Sequence, residues 1–264
     1  MNDRYLKTNA IVLSSIQFGE GHKIVKLYTE MLGRTEATAF GARKTKSRFG
    51  SRLEPFTAGT FLLYRKNEQS PLSIQDVDVI SRNCEIRDDL DKFLFGNAII
   101  EPVVRYVESV HRDRELFEIL FSVLEILNTI PVRKCMYLLS MYDLQFISIM
   151  GYKPDWGTCV RCSKSIDPEE SFSDAGSGFP LCAHCRTASS VAVKPGAMRF
   201  VEWALNNPLG YAEKVTMNEN TLFQIRQVIE HLFLYTFRKI PESWHQIETL
   251  LNYSQYSSGA GNRG

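Results

Sequence analysis

The sequence contains no run of eighteen or more apolar residues, and a transmembrane helix requires such a run. The N-terminal residues, MNDRYLKTN, are polar and lack the apolar stretch of a secretory signal peptide. These two absences predict a protein that neither crosses a membrane nor is exported, and therefore a cytoplasmic location.

The common sequence signatures of catalytic sites are also missing. The chain has no G-x-x-x-x-G-K-[ST] phosphate-binding loop, no H-E-x-x-H motif and no G-x-S-x-G nucleophile elbow. The string GAGNRG at residues 259–264 matches G-x-G-x-x-G, but it follows no predicted strand and opens no predicted helix. Asp76 and Asp78 alternate without a nearby histidine or third acid, which favours a solvated strand face. The sequence thus predicts a binding protein and not an enzyme.

The net charge is small, but positive charge is locally concentrated. The 264 residues carry a net charge of +1, yet residues 1–80 hold 12 Lys and Arg against 8 Asp and Glu. The most basic stretch is GARKTKSRFGSRLEPF, residues 41–56, where five cations precede the first acid. Such a run is usually a solvated surface, so its meaning depends on the surrounding fold.

The first 80 residues predict a small β-barrel. Five short segments are rich in β-branched and aromatic residues and partly alternate apolar with polar positions. They are Asn9–Ile16, His22–Thr29, Arg34–Ala42, Gly59–Lys66 and Pro71–Ile80. The basic stretch forms the longest connection, between the third and fourth segments. Five strands in this arrangement fit the partly open Greek-key barrel of the OB-fold.

Beyond residue 87, apolar residues recur at intervals of three and four, which predicts helices. Pro102 is expected to kink or end the first helix, Gly151 to cap another, and Pro195 to begin a third. The fold class is therefore α+β. We predict an OB-fold domain at 1–80, a helical domain in two parts at 81–155 and 191–251, a metal module at 156–190 and a disordered tail at 252–264.

The sequence has six cysteines, and four of them form two C-x2-C pairs with nineteen residues between the pairs: Cys159, Cys162, Cys182 and Cys185. This spacing is typical of a tetrahedral metal site. Four thiolates close the coordination shell, which favours one structural zinc ion, Zn2+, over catalytic zinc. Iron could occupy the same sulfurs. A thioredoxin-like pair needs only one C-x-x-C, and disulfides are disfavoured in the cytosol. The other two cysteines, Cys84 and Cys135, are predicted to be buried packing residues.

Two groups of residues resemble the RecO family of bacterial recombination and repair mediators. The first lies in the basic stretch: Gly41, Ala42, Arg43, Lys46, Ser47, Arg48, Phe49, Leu53, Pro55 and Phe56. The second leads into the first cysteine pair: Gly151, Tyr152, Pro154, Cys159 and Cys162. The resemblance covers roughly residues 5–250. Ser163 departs from it, since the family often has glycine there. Zinc cysteines are not universal in the family, which implies a structural role for the metal.

The resemblance implies a non-enzymatic protein with an N-terminal OB-fold and a helical domain that carries the zinc module. It implies binding to single- and double-stranded DNA, annealing of complementary strands, and contact with the C-terminal tail of single-stranded-DNA-binding protein. It also implies action with RecR to load RecA onto coated strands, and so an indirect relation to RecA and association with the nucleoid during repair.

Residue roles follow from combining the predicted barrel with this resemblance. Phosphate contacts without base specificity are expected at Arg34, Arg43, Lys44, Lys46, Arg48 and Arg52. Tyr28 and Phe49 are expected to stack on bases, although Phe49 could instead plug the end of the barrel. Two other functions stay open: an adaptor that binds an acidic or amphipathic partner tail while its basic stretch is only solvated, and a nuclease or phosphotransferase with an unrecognised site. The absence of a carboxylate cluster argues against the latter.

Overall fold

The computed structural model describes residues 4–44, 46–109, 112–247 and 249. The chain divides into two compact units, residues 1–129 and 130–264. The domain boundaries predicted near residues 80 and 155 stay a prediction, whereas packing places the division between Thr129 and Ile130. The predicted disordered tail lies outside the described residues. Within the described part of the chain, no helix is both long and apolar enough to cross a membrane.

The first unit contains a closed five-stranded barrel, so the predicted α+β fold with an N-terminal OB-type barrel is confirmed. Its strands are β1 (Tyr5–Phe18), β2 (His22–Thr29), β3 (Gly33–Ala39), β4 (Ala58–Tyr64) and β5 (Leu72–Ser81). The order is β1-β2-β3-β5-β4, and β1 closes the barrel by pairing with both β2 and β4. A register shift between Val12 and Ser14 lets this long strand bend from one partner to the other.

Strand alternation fills the barrel. Val25 and Leu27 of β2 and Ala37 and Ala39 of β3 point inward and belong to one buried cluster. The strand β3 ends three residues before its predicted end because Gly41 adopts a left-handed φ of 72°, which turns the chain out of the sheet.

Three helices complete the first unit: α1 (Cys84–Asp88), α2 (Leu90–Tyr106) and α3 (Arg114–Thr129). Pro102 lies inside α2, which continues to Tyr106, so the helix does not end at the proline as one of the two expectations had it. Gly96 of α2 contacts the barrel closely, since a Cβ there would lie 2.8 Å from the Phe56 ring. Cys84 is exposed at the start of α1, so its predicted burial is wrong.

The second unit is built from α4 (Cys135–Ile149), α5 (Pro195–Asn206) and α6 (Glu219–Phe237). Between α4 and α5 the strands β6 (Ser171–Ser173), β7 (Pro180–Cys182) and β8 (Val191–Val193) form a small sheet in the order β7-β6-β8. Gly151 caps α4 as predicted, with a φ of 90° and a hydrogen bond from its N–H to the Ser148 carbonyl. Pro195 begins α5, also as predicted, and Cys135 is buried.

Candidate nucleic-acid interface and metal centre

The basic stretch, which the structure describes at residues 41–44 and 46–56, forms a loop that we call the basic loop. Its first residues are tied to the β1–β2 turn, because the Arg43 N–H donates to the Gly21 carbonyl at 3.1 Å. Its second half contains a 3-10 turn, Gly50–Leu53. Phe49 and Leu53 insert into the barrel core, with exposed fractions of 1% and 0%. The loop therefore has apolar anchors inside the barrel, and its charged side chains lie outside.

Four of the predicted phosphate-contacting residues are exposed: Arg43, Lys44, Lys46 and Arg48. Within the described residues, none of these four forms an ion pair with a carboxylate. The Arg48 guanidinium lies 5.0 Å from the centre of the Phe49 ring and covers the apolar anchor on the solvent side. The loop thus carries four positive charges that the described chain leaves uncompensated.

The other two predicted cations are engaged within the protein. The Arg34 Nε donates to the Val107 carbonyl at 3.0 Å, beyond the end of α2. The Arg52 Nη1 donates to the Val77 carbonyl at 3.2 Å and lies 3.7 Å from the Asp76 carboxylate. Both side chains are half-buried. We therefore interpret them as residues that stabilise the fold, with fewer donors left for a phosphate.

The two aromatic residues predicted to stack on bases are buried. Tyr28 is 0% exposed, packs parallel to Phe117 at 6.4 Å, and its hydroxyl donates to the Asp113 carbonyl. Burial and the Asp113 charge raise the pKa of Tyr28 to about 12. Phe49 lies in the barrel core, which matches the alternative prediction that it plugs the end of the barrel. The stacking prediction is not retained for either residue, because a buried ring offers no face to a base.

Arg82 is a neighbour of the basic loop that the sequence did not reveal. Its Nη1 donates to the Ser51 hydroxyl at 2.7 Å, although 31 residues separate the two along the chain. Arg82 is exposed just after β5 and adds a fifth cation to this surface. Only the closure of the barrel brings it there, so no sequence pattern could have signalled it.

The second unit contains an aromatic and basic groove of about 570 Å³ between α5 and the segment that leads to α6. We call it the α5 groove. Trp203 lines it, and the Trp203 ring centre lies 6.0 Å from that of Phe200 and 6.2 Å from that of Tyr211. Arg199 and Lys214 supply its positive charge, and the Lys214 Nζ lies 5.1 Å from the Tyr211 ring centre.

The four cysteines of the two C-x2-C pairs converge on one point. Their Sγ atoms all lie within 4.8 Å of one another, and the Cys162 and Cys182 sulfurs are 3.7 Å apart. Sulfurs at the corners of a tetrahedron about 2.3 Å from one ion would be about 3.8 Å apart. The four thiols therefore have the spacing of a closed four-sulfur site and could hold one metal ion.

Short local hydrogen bonds form the first of the two knuckles. The Cys159 N–H donates to the Lys164 carbonyl, and the Ser163 N–H donates to the Cys159 carbonyl, each at 2.9 Å. The Val160 N–H donates to the Pro180 carbonyl and joins this knuckle to β7, which ends at Cys182, the first cysteine of the second pair. These backbone bonds shape the first knuckle and set its position relative to β7.

The electrostatics of the cluster favour a bound cation. Desolvation raises the pKa of the Cys159 thiol, but hydrogen bonds from the backbone N–H groups of Cys182, Cys162 and Arg161 lower it to about 6. Hydrogen bonding to Cys162 is the largest of the effects that raise the pKa of Cys185 to about 12. Four thiolates at this spacing repel one another, and a divalent cation would remove that repulsion.

Ser163 occupies a conformation that suits glycine. Its φ is 57°, in the left-handed region where a side chain is strained by roughly 1–2 kcal/mol. Part of that strain is offset by the greater freedom that glycine gives the unfolded chain. We expect Ser163→Gly to stabilise the knuckle by about 0.5–1 kcal/mol, and to slow metal loss to a chelator up to about fivefold.

The matched control is Ser165→Gly in the same turn. Ser165 is exposed but has no left-handed φ, and it pairs with Thr158 in an isolated β-bridge. Glycine there should leave the rate of metal loss unchanged or raise it. A faster loss in Ser163→Gly than in the parent would contradict the assigned strain.

Comparisons with known proteins cover almost the whole described chain. The family model described as "Recombination protein O N terminal" matches residues 1–82, and the one described as "Recombination protein O C terminal" matches residues 87–244. A DNA repair protein RecO of Caldanaerobacter subterraneus subsp. tengcongensis is 31% identical over 216 residues, 81% of this chain and 85% of that protein. One of Clostridium novyi is 25% identical over 260 residues, 97% of this chain and 100% of that protein.

Proposed function

The chain belongs to the Recombination protein O family, whose similar members are named DNA repair proteins, and from this premise we propose that it is a non-enzymatic recombination mediator that binds DNA through its basic loop. The observation that carries the proposal is the set of four exposed cations, without an ion-pair partner among the described residues, on a loop anchored in the barrel core. The phosphates of DNA form a dense line of negative charge, and a loop with exposed cations can bind them without sequence specificity.

Both single- and double-stranded DNA fit this kind of contact. The cations of the basic loop would bind phosphates of either form and release counterions on binding. Because two complementary strands repel each other through their phosphates, a protein that neutralises phosphates on both lowers the barrier to annealing. Action with RecR to load RecA onto coated strands, in the cytoplasm at the nucleoid, is part of the proposal and rests on family membership alone.

The α5 groove supports a second contact, with the C-terminal tail of single-stranded-DNA-binding protein. An acidic tail with apolar residues needs aromatic surface and positive charge together, and Trp203, Tyr211, Arg199 and Lys214 provide both. We place the tail in this groove. The same groove is what the adaptor alternative would use, so the two functions differ only in whether the basic loop binds DNA.

The cysteine cluster is proposed to hold one structural zinc ion. All four sulfurs converge, which leaves no open position for a substrate or a water. Zinc would hold the two knuckles together by binding the four thiolates, and it would have no catalytic role. Iron in the same sulfurs is distinguished by elemental analysis of the purified protein.

One binding series tests the mediator proposal against the adaptor. Fluorescence anisotropy of a labelled single-stranded oligonucleotide is measured from low to high salt, with and without an acidic, apolar-ended tail peptide. The mediator predicts affinity that falls linearly on logarithmic axes as salt rises, with a slope of about −0.7 per phosphate contacted. Peptide binding without oligonucleotide binding at low salt would leave only the adaptor.

The groove assignment is tested by Arg199→Ala in the peptide arm of the same series. Removing one charged partner from the groove should weaken peptide binding roughly tenfold and leave oligonucleotide binding unchanged. The matched control is Arg238→Ala, since Arg238 is an exposed arginine of the same unit that lies 5.9 Å from the Tyr235 ring centre and does not line the groove. Equal peptide affinity in both variants would remove the tail from the groove.

A further inference from the structure

An aromatic row crosses the outer face of the barrel at the β1–β2 turn. In the strand register Phe18 of β1 lies opposite His22 of β2, and Lys23 lies opposite Ala39 of β3. Continuing this register by one residue places Phe40 beside His22. Directly opposed residues share a face of the sheet, so Phe18, His22 and Phe40 form one row. Since Ala39 points into the core, Phe40 points outward.

The two phenylalanines are unusually exposed for their type. Phe40 is 59% exposed and Phe18 is 51% exposed. Farther along the same face, Tyr28 and Arg34 lie opposite each other in the strand register. The Tyr28 hydroxyl donates to the Asp113 carbonyl, and the Arg34 Nε donates to the Val107 carbonyl. The outer face of β2 and β3 therefore has a covered half at Tyr28 and Arg34, next to Asp113 and Val107, and an open half at the aromatic row.

The Phe40 ring is held in place without being covered. It meets the His22 ring edge to face, at 5.2 Å between centres and 73° between planes. His22 in turn accepts a hydrogen bond at its Nδ1 from the Gly41 N–H, at 3.0 Å. This bond links His22, which contacts the Phe40 ring, to Gly41, the first residue of the basic loop. The aromatic row and the basic loop therefore form one continuous surface.

Exposed cations lie next to this row. Arg43 and Lys44 follow Phe40 by three and four residues, and the Arg43 N–H is bonded to Gly21 in the turn between Phe18 and His22. Three residues of backbone span at most about 11 Å, and arginine and lysine side chains extend the reach further. A nucleotide whose base lay on Phe40 would therefore have neighbouring phosphates within reach of both cations.

We propose that Phe40, with Phe18 on the other side of His22, is a stacking platform for an unpaired base of single-stranded DNA, the phosphates of which lie on Arg43 and Lys44. The inference rests on the DNA binding proposed above and adds its base contact. Alternating aromatic faces and positive charge are how sequence-tolerant single-strand sites are built. OB-folds commonly bind oligonucleotides on the face of strands 2 and 3 and on the loop between strands 1 and 2, where this row lies.

The platform makes a contact that duplex DNA cannot match. Bases in a duplex are already stacked on their neighbours, whereas an unpaired base is free to lie on an aromatic ring. The four loop cations bind both forms through phosphates. The aromatic row is thus the part of the surface that would make the protein prefer single-stranded DNA over duplex DNA.

The test compares Phe40→Ala with the parent on three ligands at one salt concentration: a thymidine oligonucleotide, an oligonucleotide of the same length with abasic positions, and a duplex. We expect Phe40→Ala to bind the thymidine oligonucleotide roughly 5- to 150-fold more weakly, with abasic and duplex affinities unchanged. Phe223→Ala is the matched control, because Phe223 is a phenylalanine of similar exposure, 61%, in the other unit; it should change none of the three.

A second variant reads stacking directly. Phe40→Trp places a fluorophore on the row, where the thymidine oligonucleotide should quench it and the abasic one should not. Equal affinity of Phe40→Ala and parent for the thymidine oligonucleotide would overturn the platform and leave the DNA-binding proposal standing. A loss of equal size on all three ligands would also overturn it, because the ring would then act through the shape of the loop. A parent that binds no ligand at low salt would instead overturn the DNA-binding proposal itself.

Discussion

Alanine at Arg43, Lys44, Lys46 and Arg48 together is expected to weaken binding to single-stranded DNA by two to three orders of magnitude at 0.1 M salt. These four side chains are exposed and form no ion pair within the described chain, so their charge is available to phosphates. Each phosphate bound contributes about 0.7 to the slope of log affinity against log salt for single strands and about 0.9 for duplex.

The size of the effect follows from these slopes. When all four side chains are removed, the slope for a single strand becomes flatter by about 2.8. If the variant and the parent bind equally at 1 M salt, where the electrostatic contribution vanishes, a slope difference of 2.8 corresponds to about 600-fold weaker binding at 0.1 M. The measurement is a salt titration by anisotropy on both proteins. An unchanged slope would contradict the role of the basic loop.

The control for this experiment removes the same formal charge from the other end of β1. Arg4, Lys7, Arg65 and Lys66 lie where β1 begins and β4 ends, and three of the four are exposed. Alanine at these positions lowers the net charge equally but leaves the basic loop intact. A slope that falls as far in this control would show that net charge, and not the loop, governs binding. Thermal unfolding of both variants checks that the barrel is retained, as expected while Phe49 and Leu53 remain in the core.

The barrel could be predicted because its determinants are local. Each segment shows its own strand alternation and is bounded by turn residues. A long basic connection between the third and fourth strands marks the position of the loop. Alternation also tells which residues point outward, but it does not tell what covers the outer face. Tyr28 and Phe40 both point out of the barrel, but contacts with Asp113 and Phe117 bury Tyr28, whereas Phe40 stays exposed.

The cysteine cluster could be predicted because its determinants are local, unlike those of the proposed base contact. Two C-x2-C pairs constrain their own geometry within each knuckle, so spacing alone identifies all four sulfurs. The proposed phosphate contacts fall between these cases. A charge run shows where cations are dense, yet the same run contains Arg48, which is exposed, and Arg52, which is bonded to Val77 and Asp76. Distinguishing the two requires the position of β5, which lies twenty residues farther along the chain.

Serine at Cys159 and Cys182 is expected to abolish metal binding and to unfold the segment between α4 and α5. The sheet there has strands of only three residues, and its fully buried apolar contacts come from few side chains, such as Trp156 and Leu181. Closed four-sulfur zinc sites contribute apparent energies of about 10–16 kcal/mol, which exceeds what so small a sheet can supply by packing. The metal content, measured by elemental analysis, should fall from one ion per chain to none.

Limited proteolysis should then locate the damage. New cleavage is expected between residues 156 and 190, while α4 and α6 stay protected because the Asp143 carboxylate of α4 bonds the Arg226 guanidinium of α6 at 2.6 Å and does not depend on the metal. Cys84→Ser is the matched control, since Cys84 is exposed and lies outside the cluster. It should change neither metal content nor cleavage. A parent protein purified without metal that resists the protease as well as the metal-bound form would contradict a structural role, because the knuckles would then hold by their hydrogen bonds alone.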